Sequence, residues 1–239
     1  MKKHFLRLLL GGFLLGQSPL MAQSACESLY LREGATYEML SFNAKGKQEG
    51  SSRGKVLSVS QSGNEKTAQV QFTVLDAKGK ELNQAEVAYA CEGDVLKIDM
   101  ENFLNQEALK AYQNMEVSME SSQVAYPQNM AAGQTLDEGT MNIGIKNSGV
   151  AFADIEMSMK DRKVEGQESL QVKAGTFEVF KISYTLVMNT KMMGMNIPME
   201  VKAVEYFSKE LGVVKSESYN AKNGKLMGYS ELGSYSIPD

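Results

Sequence analysis

Five methionines, Met188, Met192, Met193, Met195 and Met199, crowd around Gly194, and their thioethers are a concentrated set of soft metal ligands. Thioether sulfur suits Cu(I). Methionine also fills irregular apolar space and lines surfaces that adapt to varied ligands. The spacing is irregular, no cysteine or histidine joins the group, and the chain carries 16 methionines in 239 residues. A hairpin with mixed packing, or the lip of an apolar-ligand site, accounts for the cluster better than copper.

Other chemistry is thinner. Asp94 with Asp99, or Asp137 with Asp154, would serve as a glycosidase pair only if folding set the two carboxylates at the right separation. The chain has no Trp to form a sugar platform. It has no Gly-x-Ser-x-Gly elbow and no phosphate loop. Calcium has no spaced carboxylate motif to hold it.

The histidine count narrows the choice further. His4 is the only one, and it lies in what reads as a removable signal peptide over 1–22. Lys2, Lys3 and Arg7 form its positive end, Phe5 to Leu15 its apolar centre, and Leu20-Met21-Ala22-Gln23 a processing site. That apolar run is shorter than the roughly 20 residues of a membrane-spanning helix, and no later segment is long and apolar enough to span. Cleavage leaves 22 basic against 29 acidic side chains, a net charge of −7 instead of −4. That sign disfavours nucleic acid, whose binding leans on Lys and Arg. A mature chain without imidazole runs no Ser-His or Cys-His mechanism and builds no His-ligated zinc site. We expect no enzyme, no metal and no cofactor.

Cys26 and Cys91 both remain in the mature chain, and an even count in an exported protein reads first as a disulfide. Closing 66 residues, counted from Cys26 to Cys91 inclusive, stabilises a fold by about 4 kcal/mol in the chain-entropy model. The competing reading lipidates Cys26 as the first residue of a lipoprotein. Ser24 and Ala25 suit that processing, but Gln23 stands where an aliphatic residue is expected.

The elements that position these residues are strands. Ala68, Val70, Phe72 and Val74 alternate with polar neighbours, as do Val87, Tyr89 and Cys91, then Leu96, Ile98 and Met100. Phe180, Ile182, Tyr184 and Leu186 mark one face of a long strand. Period-2 alternation with one polar face indicates antiparallel sheet. Turns of one chemistry separate the runs, at 43–47, 76–80 and 220–225, each with Asn or Asp followed by Lys and Gly. One helix is expected near 102–115, where Leu104, Ala108, Ala111, Tyr112 and Met115 fall at helical spacing. The stretch 126–134 is the least structured, and the boundary falls there if the mature chain, 23–239, holds two sub-domains.

Arg162-Lys163-Val164-Glu165-Gly166, Ala174-Gly175-Thr176-Phe177, Leu211-Gly212-Val213-Val214-Lys215-Ser216-Glu217 and Gly224-Lys225-Leu226-Met227-Gly228 occur in that order. Together they resemble the DUF3108-like (TapB) family, exported proteins common in Bacteroidota. Cys26, the Lys-Gly-Lys turns and Cys91 are similar to the family's layout in the first half. One departure is Glu210-Leu211-Gly212, where members often carry Gly-Val-Gly. The resemblance implies an envelope location and a β-rich, barrel-like fold, and brings no catalytic residues.

The expected architecture is all-β: a large curved antiparallel sheet, or half-open barrel, lipocalin- or LolA-like in general shape, with the one short helix. The expected role is a periplasmic binding or carrier protein for an apolar molecule or a lipidated partner. The alternative is a structural or assembly protein of the envelope acting through protein contacts. Titration with Cu(I) should show no binding above background. Tight stoichiometric binding, abolished by Met192→Leu with Met195→Leu, would instead make the methionines a metal site.

Overall fold

The computed structural model describes residues 26, 28–103, 112–192 and 194–238. The proposed leader lies outside these residues, as do 104–111 of the expected helix; on its near side Met100–Phe103 form a short 3-10 turn.

Among the described residues thirteen strands form one antiparallel sheet. In chain order they are β1 (Thr36–Asn43), β2 (Gln48–Ser62), β3 (Glu65–Asp76), β4 (Glu81–Glu92), β5 (Val95–Asp99), β6 (Glu116–Ser121) and β7 (Gln123–Pro127). Then follow β8 (Gly139–Asn147), β9 (Val150–Val172), β10 (Gly175–Met192), β11 (Met195–Ser208), β12 (Gly212–Asn220) and β13 (Leu226–Ser236). The alternation read from the sequence has a direct cause, since the apolar phase of each strand faces inward. Ala68 and Val70 are buried on β3, Leu96 and Ile98 on β5, and Phe180 and Ile182 on β10.

The spatial order is β6-β8-β9-β10-β11-β12-β13-β1-β2-β3-β4-β5-β7. The two edge strands are therefore consecutive in the chain, and Ser122 alone separates them. The sheet curls until its edges meet at that residue. The Ser122 N–H donates to the Thr140 carbonyl at 2.8 Å, its Oγ accepts the Thr140 N–H at 2.8 Å, and its carbonyl accepts the Met100 N–H at 3.0 Å. The Ser121 hydroxyl donates to Asp99 beside it. The result is a nearly closed barrel with a single stitched seam.

One end of the barrel is stoppered. Cys26 is joined to Cys91 by a disulfide, with Cα atoms 6.2 Å apart. Leu29–Leu31 form a buried 3-10 turn, and the Leu29 N–H donates to the Glu210 carbonyl at 2.6 Å. Tyr30 lies so close to Gly212 that a Cβ there would meet its ring at 2.1 Å, and Gly212 has φ +79°. The Glu210-Leu211-Gly212 run is thus the seat of the N-terminal segment.

The recurrent turns sit mostly at the other end. Asn43 Oδ1 accepts the N–H of Lys45 and Lys47, and Asp76 Oδ1 accepts those of Lys78 and Lys80. Asn220 Oδ1 accepts those of Lys222 and Asn223. The Asn or Asp that opens each turn closes it by side chain. These backbone donors hold the Asp76 carboxyl below its ordinary range.

Ser122→Ala should cost about 1 kcal/mol in urea unfolding, through one lost hydrogen bond. Ser122→Pro, which removes the seam N–H, should cost several times more. Equal stability of both variants with the wild type would show that the seam does not hold the sheet closed.

Candidate functional site

Along one face of β11 the inward positions are Val201, Ala203, Glu205 and Phe207. A carboxylate in the apolar phase of a strand is the feature that marks the site. Glu205 is 3% exposed. Its Oε2 accepts the Tyr126 hydroxyl at 2.8 Å and its Oε1 accepts the Tyr184 hydroxyl at 3.0 Å. Tyr126, on β7, is fully buried and stacks on Phe207 with ring centres 4.9 Å apart.

The opposite charge reaches the interior through an irregularity. On β9, Asp161 and Arg162 together oppose Tyr184, between the pairs Thr185↔Lys160 and Ser183↔Lys163. Asp161 takes φ +54° at this bulge. Arg162 is 0% exposed, with its guanidinium 4.8 Å from the centre of the Tyr126 ring. Nη1 donates to the Asp137 carbonyl at 2.7 Å and Nη2 to the Ala125 carbonyl at 3.1 Å, while Nε has no partner among the described residues. Tyr126 thus stands between a buried cation over its ring and a buried anion at its hydroxyl.

Burial raises the Glu205 carboxyl above its ordinary range, against the opposing pull of the Tyr126 hydrogen bond, the Arg162 charge and the Tyr184 hydrogen bond. Burial and then the charge of Glu205 raise the phenols of Tyr126 and Tyr184.

Glu205 faces a cavity of about 250 Å³. Tyr30, Tyr37, Tyr89, Tyr184 and Phe72 contribute to its wall. Tyr30 stacks on Tyr89 at 4.5 Å and meets Tyr37 edge-on at 5.3 Å. Tyr37 passes over Gly54, where a Cβ would come within 2.1 Å of its ring. A polar row crosses three neighbouring strands from the carboxylate: Ser216 is paired with Glu205, Ser230 with Ser216 and Ser41 with Ser230.

The methionines share the face of Glu205. In the β10–β11 hairpin Met188 is directly opposite Met199 and Met192 opposite Met195, while Met193 lies outside the described residues. A cross-strand row runs Met141–Met157–Met188–Met199 through β8, β9, β10 and β11. Met141 and Met157 are buried, Met188 is half-buried, and Met199 is 43% exposed. Further out, Ile197 reaches 50% and Met195 57%. The hairpin rises from the end opposite the disulfide, and β12 stops pairing with β11 at Val201.

The acid pairs are not assembled into one centre. Asp94 lies at the β4–β5 turn, where it accepts a hydrogen bond from Asn129, whereas Asp99 is tied to Ser121 at the seam. The Asp137 backbone holds Arg162, and Asp154 on β9 is paired with Lys191. Among the described residues no group of three or more His, Cys, Asp or Glu side chains is placed to hold a metal. Sequence reading did not single out Glu205, Tyr126 or the interior role of Arg162. The signal available was Glu205 itself, an acid in the apolar phase of Val201-x-Ala203-x-Glu205-x-Phe207.

The DUF3108-like family model matches residues 32–232. The chain belongs to the DUF3108-like family. A candidate exported protein with a YmcC-like fold, from Bacteroides fragilis NCTC 9343, is similar in structure with a TM-score of 0.68. It is 23% identical, over 86% of this chain and 96% of that one. A candidate lipoprotein from Parabacteroides distasonis ATCC 8503 has a TM-score of 0.72 and 22% identity, over 88% of this chain and 99% of its own. Likeness at that identity shows the shared fold. No curated protein matches. No described helix is long and apolar enough to cross a membrane. In this chain Arg162 of the Arg-Lys-Val-Glu-Gly run lies in the barrel interior, bonded to the Asp137 and Ala125 carbonyls. The Gly-Val-Val-Lys-Ser-Glu run places Ser216 opposite Glu205 and pairs Lys215 with Glu217 at 2.7 Å.

The raised carboxyl makes a signed prediction. The native state keeps the Glu205 proton at pH values where the unfolded chain, near its ordinary 4.5, has released it. Its contribution to stability is present below that value and is lost as pH rises through the folded one. Wild-type stability minus that of Glu205→Gln should therefore fall as pH climbs above about 4.5, measured by urea unfolding from pH 4 to 8. A difference that rises with pH would mean the carboxylate is stabilised in its ionised form.

Proposed function

We propose that this protein is a non-catalytic binding or carrier protein of the bacterial envelope, for an elongated and largely apolar ligand. One observation carries the reading. On a single face of β11, exposure climbs outward from Glu205 at 3% and Ala203 at 7% to Met199 at 43%, Ile197 at 50% and Met195 at 57%. A graded apolar ramp leading out of a barrel mouth supports entry of a chain-like molecule.

The dimensions agree. Eight residue steps from Ala203 to Met195 span about 27 Å at strand rise. The hydrocarbon core of a bilayer, two acyl chains end to end, is about 30 Å, so one acyl chain fits on the ramp. Unbranched thioether side chains adapt to such a chain without a fixed pocket shape. A lipidated partner would present the same acyl chemistry.

The assembly alternative would need an available strand edge. Residues 195–200 of β11 are paired only to β10 among the described residues, but Pro198 removes a backbone donor midway along them. Proline on an edge opposes strand addition. The face of this hairpin, rather than its edge, is the binding element.

Native mass spectrometry of protein purified from its own envelope should show an adduct of lipid mass. Met195→Glu with Met199→Glu should remove most of it while leaving the melting temperature within a few degrees, because both side chains are exposed. A clean apo mass together with a stable protein partner would reject the carrier reading in favour of assembly.

A further inference from the structure

The ramp ends at a chamber with its own chemistry, and this inference rests on the carrier reading while specifying the ligand's other end. At about 250 Å³ the chamber is smaller than the roughly 300–1,000 Å³ of a site for a whole drug-sized molecule. It accommodates a head group. We infer that the chamber around Glu205 receives a positively charged ammonium group carried at the end of the apolar ligand.

Three observations converge. The first is an under-neutralised anion. Each oxygen of Glu205 accepts one tyrosine hydroxyl, which leaves acceptor capacity on both. Among the described residues no lysine or arginine forms an ion pair with it. Arg162 is held by the Asp137 and Ala125 carbonyls over the Tyr126 ring. A buried carboxylate without a direct counter-charge gains by pairing with a cation.

The second observation is the wall. Tyr30, Tyr37, Tyr89 and Tyr184 with Phe72 bring aromatic rings around the carboxylate. Ring quadrupoles attract ammonium groups, most strongly where water is excluded. The third is an orphan donor on the same wall: Asn102 Nδ2 is buried without a partner among the described residues. An ammonium head with a neighbouring hydroxyl or carbonyl oxygen would satisfy it. Fatty-acid carboxylate or phosphate would instead stand against Glu205, a like charge in a poorly solvated space. The whole chain carries a net charge of −4, which favours the approach of cations.

Isothermal titration with dodecylamine, dodecanol and dodecanoate at neutral pH, the two charged probes below their micelle concentrations and dodecanol below its solubility limit, separates head from tail. Dodecylamine should bind about tenfold or more tighter than dodecanol, and dodecanoate weaker than both. Glu205→Gln should keep the dodecanol affinity and lose the preference for the amine. Should that variant fail to fold, Tyr89→Leu removes one ring and should reduce the same preference. Equal binding of all three probes to the wild type would overturn the head-group inference and leave the ramp intact. A preference unchanged in either folded variant would likewise overturn the assignment to this chamber. Binding of none of the three would overturn the carrier reading, and this inference with it.

Discussion

The two edges of the sheet are one residue apart in the chain, and that constraint shapes the rest of the molecule. β6 and β7 lie at opposite ends of the strand order, yet Ser122 alone joins them. A residue spans at most about 3.6 Å, so a thirteen-stranded sheet under this tie must curl until its edges meet. Twist alone would curve such a sheet, but the tie sets where it closes. Ser122 then bonds to Thr140 on one side and Met100 on the other.

Closure makes a dry interior, and the interior holds charges that a flat sheet would leave in water. Arg162 comes from β9, Tyr126 from β7, Tyr184 from β10 and Glu205 from β11. In the strand order β7 is at one edge, far from β9, β10 and β11. Only the curl sets the Tyr126 ring under Arg162 and its hydroxyl on Glu205. The bulge at Asp161 and Arg162 turns the guanidinium inward, and carbonyls outside the strand ladder satisfy it. Desolvating both charges is costly. Buried charges of this kind are weak evidence of net stabilisation.

The same curl explains the methionines. β9, β10 and β11 are long, and on its outer part β11 runs on past the end of β12. Their inner face therefore begins as barrel lining and ends in the open. Met141 and Met157 are packed, whereas Met195 and Met199 are not, although all four occupy the same phase of the pleat. At sequence level the cluster around Gly194 could be read as copper ligands, hairpin packing or an apolar lip. Cross-strand register places four of its members on one face and in line with Glu205, an arrangement spread over strands that no local pattern connects.

Several features needed only the order of residues. The alternation at 68–74, 95–100 and 180–186 specifies strands, because one face of each must leave water. The Asn or Asp that opens each of the three similar turns specifies its closure, because its carboxyl or amide oxygen reaches the following N–H groups. The family motifs specify membership over most of the chain. Tertiary structure alone decided the seam at Ser122 and the seating of Tyr30 on Gly212. It also decided the meeting of Arg162, Tyr126 and Glu205. The physical reason is range: hydrophobic phase and turn chemistry act over a few residues, whereas closing a sheet and burying a charge depend on which distant strands become neighbours.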